Sequence, residues 1–311
     1  MTPALPLARY RLEFVVETPL YLPAYAGSTL RGAFGGALRA TACMTQRKTC
    51  EPCPLLRTCP YAAIFETPPP AEDHALQKFT QVPHPYVIEP PGWGEKSYAP
   101  GEPLAFHLVL AGRALDQLPL MLWAFVKAFW RGVGKGDGAA RLSRVVHVGA
   151  IETIVLENPE SAVAEHPRAV PQVLTFPNDA VTLSIDTPLR LQRNGRPIDA
   201  ADLSARDLLT ALVRRIALIH EFHGAGPLPL NFTDLARRAE SIASEKDLRW
   251  RDWTRYSSRQ KQKMALGGVV GHWTLRGDLA PFLPFLHLGQ WLHAGKGATF
   301  GLGGYRLEVM P

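Results

Sequence analysis

Two stretches of this chain repeat one another at a separation of about half its length, and no other feature limits the fold as strongly. Residues 131–148 run RGVGKGDGAARLSRVVHV and residues 292–309 run LHAGKGATFGLGGYRLEV, so Gly134-Lys135-Gly136 aligns with Gly295-Lys296-Gly297 at an offset of 161. Upstream, FVVETPLYL (14–22) matches LSIDTPLRL (183–191) at an offset of 169. Self-similarity at one spacing is the signature of a duplicated structural unit. Each copy continues into a helical pattern, 28–42 and 203–220, with apolar residues three and four apart. Each then has strand material, LAFHLVL (104–110) and GGVVGHWTLRG (267–277), followed by an apolar amphipathic stretch, the glycine loop and a last strand. The order is strand, helix, two strands, helix, strand. It predicts an α+β protein of two tandem ferredoxin-like (RRM-like, βαββαβ) domains with a glycine-rich loop before each final strand. The domains are placed at 1–155 and 173–311, joined by the proline-bearing stretch 157–172. A total of 311 residues suits two such units. The alternative is one larger mixed domain whose glycines match by coincidence.

The glycine loops are not nucleotide motifs. A P-loop needs Ser or Thr directly after its lysine, whereas Lys135 and Lys296 are each followed by glycine. A dinucleotide fingerprint needs a following helix and an acid about 20 residues on, and the second loop leads straight into a last strand.

Charge is uneven along the chain. The formal net charge is +6, and the segment RWRDWTRYSSRQKQK (249–263) carries six basic residues against one acid. There Arg249, Arg251, Arg255, Arg259, Lys261 and Lys263 alternate with Trp250, Trp253 and Tyr256. Cations for phosphates beside flat rings for bases are what single-stranded nucleic acid requires. The competing reading packs the tryptophans inward and leaves the charges on a solvated face.

Three stretches together resemble a known group: STLRGAFGGALRATAC (28–43), RWRDWTRYSSRQKQKMALGGVVG (249–271) and GKGATFGLGGY (295–305). They are similar to the RAMP superfamily of CRISPR-associated proteins, and within it to the endoribonucleases that process precursor CRISPR RNA. The resemblance implies a metal-independent cut in a repeat RNA, in which a 2′-hydroxyl attacks its own phosphodiester. Cleavage leaves a 2′,3′-cyclic phosphate and a 5′-hydroxyl. Implied partners are CRISPR repeat RNA, the processed guide RNA and other CRISPR effector subunits. A non-catalytic RAMP subunit that carries guide RNA is the alternative, and a general RNA-binding protein is a third reading. On this resemblance the expected RNA-binding residues are Arg251, Arg255, Arg259, Lys261 and Lys263 of a basic hairpin, with His293, Lys296 and Gly297 at the second glycine loop. Glycine amides there can face phosphate oxygens with no side chain in the way.

Catalysis is where the chain departs from that group. Many of its members place a histidine on or near the first helix, and here no histidine precedes His74. The region offers Tyr25, Arg31 and Arg39 instead. Arg31 and Arg39 are eight residues apart, within roughly 80° of each other around a helix. They are expected to steady a pentacovalent phosphorane by charge, with Tyr25 beside them and no cofactor for catalysis. The rate should then show no transition near about 6.5, the usual histidine value.

All four cysteines fall close together: Cys43, Cys50, Cys53 and Cys59, an excursion at 43–59 after the first helix. The clustering suggests a structural zinc knot or, less typically, an iron–sulfur cluster, with four free thiols as the rival. The HEFH of His220 and His223 lacks the HExxH spacing and suits a helix end. The start of the chain lacks the features of a signal peptide. The most apolar stretch, 118–130, is too short to span a bilayer. A cytoplasmic protein without a membrane partner is expected.

Overall fold

The computed structural model describes residues 3–69, 82–171, 180–257 and 262–308, with the backbone alone at 255–257 and 262–265. In chain order the elements are β1 (Leu7–Val16), β2 (Leu20–Leu22), α1 (Gly27–Ala42), α2 (Pro60–Phe65), β3 (Tyr86–Glu89), β4 (Lys96–Tyr98), β5 (Pro103–Ala111), α3 (Leu118–Arg131), β6 (Ala140–His147) and β7 (Thr153–Leu156). There follow β8 (Ala180–Leu189), β9 (Gln192–Arg193), β10 (Arg196–Pro197), α4 (Ala205–His223), α5 (Phe232–Glu240), β11 (Ala243–Arg251), β12 (Thr254–Ser257), β13 (Gln262–Ala265), β14 (Gly268–Arg276), α6 (Leu283–Leu292) and β15 (Tyr305–Glu308). The chain divides into two compact units. One comprises Leu5–Val170 with Phe222–Gly224; the other comprises Met1–Ala4, Pro171–Glu221 and Ala225–Pro311.

The Leu5–Val170 unit is built on a sheet of order β3-β5-β1-β6-β7, every pair antiparallel. Alternation along β1 sends Ala8, Tyr10, Leu12, Phe14 and Val16 inward. Buried residues of α1 recur at Leu30, Phe34, Ala37 and Leu38, and those of α3 at Met121, Leu122, Phe125 and Phe129. That spacing lines one face of each helix. The faces meet in an aromatic core, with Phe34 stacked on Phe125 at 4.7 Å and Phe14 against Phe129 at 4.2 Å. The opposite side of β1 carries an ion-pair network instead: Arg9 to Glu89 at 2.9 Å, Arg11 to Glu152 at 2.6 Å and Arg144 to Glu13 at 2.5 Å.

The stretch read as a linker is pinned to this unit over its described part. The Leu7 amide donates to Ala169 O at 2.9 Å, and the Tyr10 hydroxyl lies 2.6 Å from His166 Nε2.

In the other unit the sheet order is β11-β14-β8-β15, again antiparallel throughout. Val181, Leu183 and Ile185 of β8, Trp273 and Leu275 of β14, Leu208, Leu212 and Ile216 of α4 and Phe285 and Leu288 of α6 are all buried. Gly289 leaves α6 without a side chain where the Tyr305 hydroxyl and Leu212 stand, so helix, strand and helix close on one another there. Among the described residues no helix is long and apolar enough to cross a membrane.

Candidate nucleic-acid interface

The glycine loops dock backbone on backbone, and both do it in the same way. The Lys135 amide donates to Tyr21 O at 3.2 Å and the Lys296 amide to Arg190 O at 3.0 Å. Tyr21 and Arg190 occupy the same place in the two repeated strands, FVVETPLYL and LSIDTPLRL. A Cβ on Gly134 would collide with the Tyr21 carbonyl, and one on Gly295 with that of Arg190. Both glycines are left-handed, at φ 82° and 77°, a conformation that costs glycine little. The Thr-Pro of each strand completes the clasp. Thr18 Oγ1 accepts from the Ala139 amide and Thr187 Oγ1 from the Gly304 amide, both at 2.8 Å. In return, Glu17 and Thr18 donate to Ala139 O, and Asp186 and Thr187 to Gly304 O.

The two loops differ in length. Lys135 and Lys296 are 161 residues apart, whereas Ala139 and Gly304 are 165 apart, so the second loop holds four extra residues. They are taken up by a 3-10 turn over Ala298–Phe300 closed by left-handed Gly301. This turn carries Phe300 to Trp253, ring centroids 6.4 Å apart. Trp253 opens the basic hairpin, in which β12 pairs with β13 and the Leu266 amide donates to Trp253 O at 2.7 Å. The basic segment and the glycine loop, 30 or more residues apart in sequence, are thereby brought side by side.

Several expected RNA-binding residues fall on this surface. Arg249 and Arg251 end β11, with Arg249 exposed and Arg251 half-buried, and Lys296 is exposed. Arg255 and Lys263 sit in β12 and β13, where only backbone is described, and Arg259 and Lys261 lie outside the described residues. Two details of the expectation need correcting. Most amides of the second loop are spent internally: those of Lys296, Phe300, Gly301, Leu302, Gly303 and Gly304 all donate to protein acceptors. Gly297 serves the turn, since a Cβ there would meet the rings and methyls of Phe300 and Leu302. His293 is 5% exposed and sits against Gly304, with Nδ1 3.2 Å from Leu302 O. It props the loop from beneath. Sequence reasoning missed Arg215 of α4, which donates from Nε to Leu292 O at 2.9 Å, just before the loop. Burial lowers the pKa of this guanidinium to about 10.

The helix expected to hold the phosphate has other commitments. Arg31 lies over the Phe65 ring, 4.2 Å from its centroid, and Phe65 rests on Gly35, where a Cβ would strike the ring. Gly35 is therefore a notch that seats α2 on α1. Arg39 donates to the carbonyls of Arg47 and, at 2.9 Å, Lys48, and faces the Tyr61 ring. Tyr25 is 2% exposed and lies tilted against Trp93, ring centroids 5.0 Å apart. Burial, helped by nearby Glu89, pushes its phenol well above the usual value, so it stays protonated. What the sequence did not offer is His84. It approaches α1 from just before β3, stacked on Phe65 at 6.2 Å and on Tyr86 at 5.9 Å. Its distance in sequence from α1 hid it; only the return of α2 and β3 onto the helix brings it near.

The zinc expectation lacks its geometry. All four cysteines line one cavity of about 150 Å³, and all four are free thiols. Among the described residues, however, no three His, Cys, Asp or Glu side chains are grouped to hold a metal ion. Thr45 Oγ1 stands between Cys43 and Cys53, at 4.0 and 3.4 Å. Cys50 is pushed up to about 11 by burial and by Glu66, so it keeps its proton at neutral pH. Cys43 moves the other way. Burial raises it, but hydrogen bonds from Gln46, Thr45 and Arg39 outweigh that and leave it lowered.

Comparison with known proteins agrees with this architecture. Residues 5–168 match a family model described as an N-terminal domain, and residues 183–305 match that of the CRISPR-associated endoribonuclease Cas6. An uncharacterised protein of Archaeoglobus fulgidus is 25% identical over 316 residues, covering 96% of this chain and 97% of its own. A Cas6 product complex superposes with a TM-score of 0.58 at 18% identity, over 97% of this chain and 100% of that one. Thermus thermophilus Cas6 gives 0.51 at 16% identity, over 98% and 99%. At such identities the superpositions show a shared fold, a mixed α/β arrangement of antiparallel sheets. Over residues 183–305 the chain carries a domain that matches the CRISPR-associated endoribonuclease Cas6 family, within a fold shared with Cas6 structures.

Proposed function

We propose that this protein is a metal-independent endoribonuclease that cuts precursor CRISPR RNA within its repeats by 2′-hydroxyl attack, releasing guide RNA. The observation that carries the reading lies in the Cas6-matched stretch: the basic hairpin and the glycine loop meet through Trp253 and Phe300. Arg249, Arg251 and Lys296 supply cations there, and Trp250 and Trp253 supply rings, the pairing that holds a single RNA strand. Each unit is read as ferredoxin-like, on the strength of strand orders β3-β5-β1-β6 and β11-β14-β8-β15, which correspond element by element.

The chemistry is assigned to the α1 neighbourhood. Arg31 is the permanent cation for the phosphorane, and His84 is the imidazole placed beside it for proton transfer. Tyr25 and Tyr86 are held protonated, Tyr86 at about 12 through burial despite the adjacent Arg31. Arg39 acts by fixing the cysteine excursion to the helix.

One observation favours a second reading, a non-catalytic RAMP subunit that binds guide RNA: Arg31, Arg39 and Tyr25 are all engaged with protein groups. Incubation of the protein with CRISPR repeat RNA from its own genome in EDTA separates the two. Discrete products with 2′,3′-cyclic phosphate ends support the nuclease. Tight repeat binding with intact RNA supports the carrier. Equal affinity for unrelated RNA defeats both.

A further inference from the structure

Helix α3 of the Leu5–Val170 unit has a solvent face that the folding of that unit does not explain. Trp130 is 76% exposed and Trp123 46% exposed. Tryptophan is among the side chains that gain most from burial, so two on one outer face are unusual. They do not fill gaps, since the inward stripe of α3 is complete with Met121, Leu122, Phe125, Ala128 and Phe129.

The face is organised. From Trp123, Lys127 is rotated by about 40° and Trp130 by about 20° in the opposite sense, so all three share one narrow stripe. The indoles are spaced about 10 Å apart along the axis. Lys127 Nζ stands 5.7 Å from the Trp123 ring centroid, a cation over that π-face. The stripe runs on into Arg131 and the first glycine loop, where exposed Lys135 pairs with Tyr21, itself 48% exposed. Residues 118–136 include Lys127, Arg131 and Lys135 and no acid. The nearest carboxylates in sequence are Asp137, exposed in the glycine loop with its Cβ near Gly132, and Asp116, paired with Arg168.

We infer that the Trp123–Lys127–Trp130 face of α3 is a stacking platform for single-stranded RNA, separate from the surface formed by the basic hairpin and the second glycine loop. Charge decides between occupants. A protein partner for two exposed indoles would be met by a mixed or apolar rim, whereas residues 118–136 carry three cations and no acid. Rings spaced along a line of cations suit unpaired bases attached to a phosphate backbone, and every base has a face to stack. A duplex would reach the cations but not the rings. The platform would thus hold an unpaired segment of the RNA whose processing is proposed above, and the inference rests on that reading.

The test uses the full chain with Trp123→Ala and Trp130→Ala combined. Both rings are exposed, so an unchanged circular dichroism spectrum and melting temperature are expected. Affinities are measured for a fluorescent 20-nucleotide oligouridine and for an RNA duplex of equal length. The double variant should bind oligouridine at least ten-fold more weakly and the duplex as before. Trp123→Tyr with Trp130→Tyr should restore most of the loss, because a ring remains. Lys127→Gln should lower the slope of log affinity against log salt by about one. Wild-type protein that binds neither RNA would overturn the RNA-processing reading and this inference together. Wild-type binding with an unaffected double variant overturns this inference alone. Loss of self-association in the double variant with oligouridine affinity unchanged would overturn it in favour of an interface between copies.

Discussion

The Lys296 amide donates to the Arg190 carbonyl at 3.0 Å, as the Lys135 amide does to that of Tyr21. The lysines match at one offset and their acceptors at another, so two independent stretches of the repeat meet in an equivalent bond. That is the strongest structural sign of duplication in the chain. It also says what the first glycine of each loop is for. In Gly295→Ala the new methyl would collide with the Arg190 carbonyl at a φ of 77°. Strain and overlap together should cost about 2 kcal/mol or more. Gly136→Ala meets no neighbour within 4 Å and pays only for its φ of 83°, about 1 kcal/mol. Thermal melts of the two variants should rank them in that order. Equal losses would mean that the backbone docking contributes nothing.

The four residues that lengthen the second loop predict a coupling. Phe300 reaches Trp253 only through that extra turn. Phe300→Ala should weaken repeat RNA binding although it removes no charge, and Trp253→Ala should add little once Phe300 is gone. Arg249→Ala with Arg251→Ala should instead flatten the salt dependence, by about one unit of slope for each phosphate that is no longer neutralised. A double-mutant cycle that is additive for Trp253 and Phe300 would separate hairpin from loop.

Much of this was legible in the sequence, and the reasons are physical. The helix expected at 28–42 is α1 at Gly27–Ala42, because its apolar spacing is dictated by one buried face. The strand TPL and GKG motifs were visible because backbone docking tolerates few residue types. What the sequence hid was the use of side chains that act at a distance. Arg31, expected from the sequence as a cation for the phosphorane, lies over Phe65, which comes from beyond the cysteine excursion. His293 sits beside a loop of suggestive glycines, yet an unusual backbone, φ 56° and ψ 165°, turns it inward. Trp123 and Trp130 read as part of an apolar run, and only burial shows that they point out.

The cysteines give a prediction in pH. Cys43 lies below the usual thiol value and Cys50 near 11. At pH 8 iodoacetamide should therefore modify Cys43 early and Cys50 last. Raising the pH toward 10 should accelerate Cys50 far more than Cys43, which titrates lower. Mass spectrometry of partially alkylated protein reads the order. A zinc ion shared by all four would instead protect them together, with protection lost on adding a chelator. Chelator-dependent protection with near-stoichiometric zinc would restore the metal knot and show that the thiols rearrange to bind it.

The last prediction concerns His84. Arg31 covers Phe65, and His84 stacks on Phe65 and on Tyr86, so a cation, an imidazole and a phenol share one aromatic stack. Of these side-chain types, imidazole is the one generally used for proton transfer in catalysis. Transesterification by a 2′-hydroxyl needs a proton taken from the nucleophile and one given to the leaving oxygen, steps worth roughly 100-fold or more each when a side chain performs them. In the nuclease reading, His84→Ala should therefore lower single-turnover cleavage of repeat RNA about 100-fold while affinity for uncleaved RNA changes little. The pH dependence of the wild-type rate should change in the variant, because the proton-transfer group is gone. A pH profile identical in both would oppose the role, as would the flat profile expected when no histidine was assigned to α1. Arg31→Ala should lose cleavage too, but with a lower melting temperature, because it also uncovers Phe65. Full cleavage by folded His84→Ala would remove this stack from the chemistry, and repeat RNA bound tightly but never cut by wild type would leave it a purely structural seam.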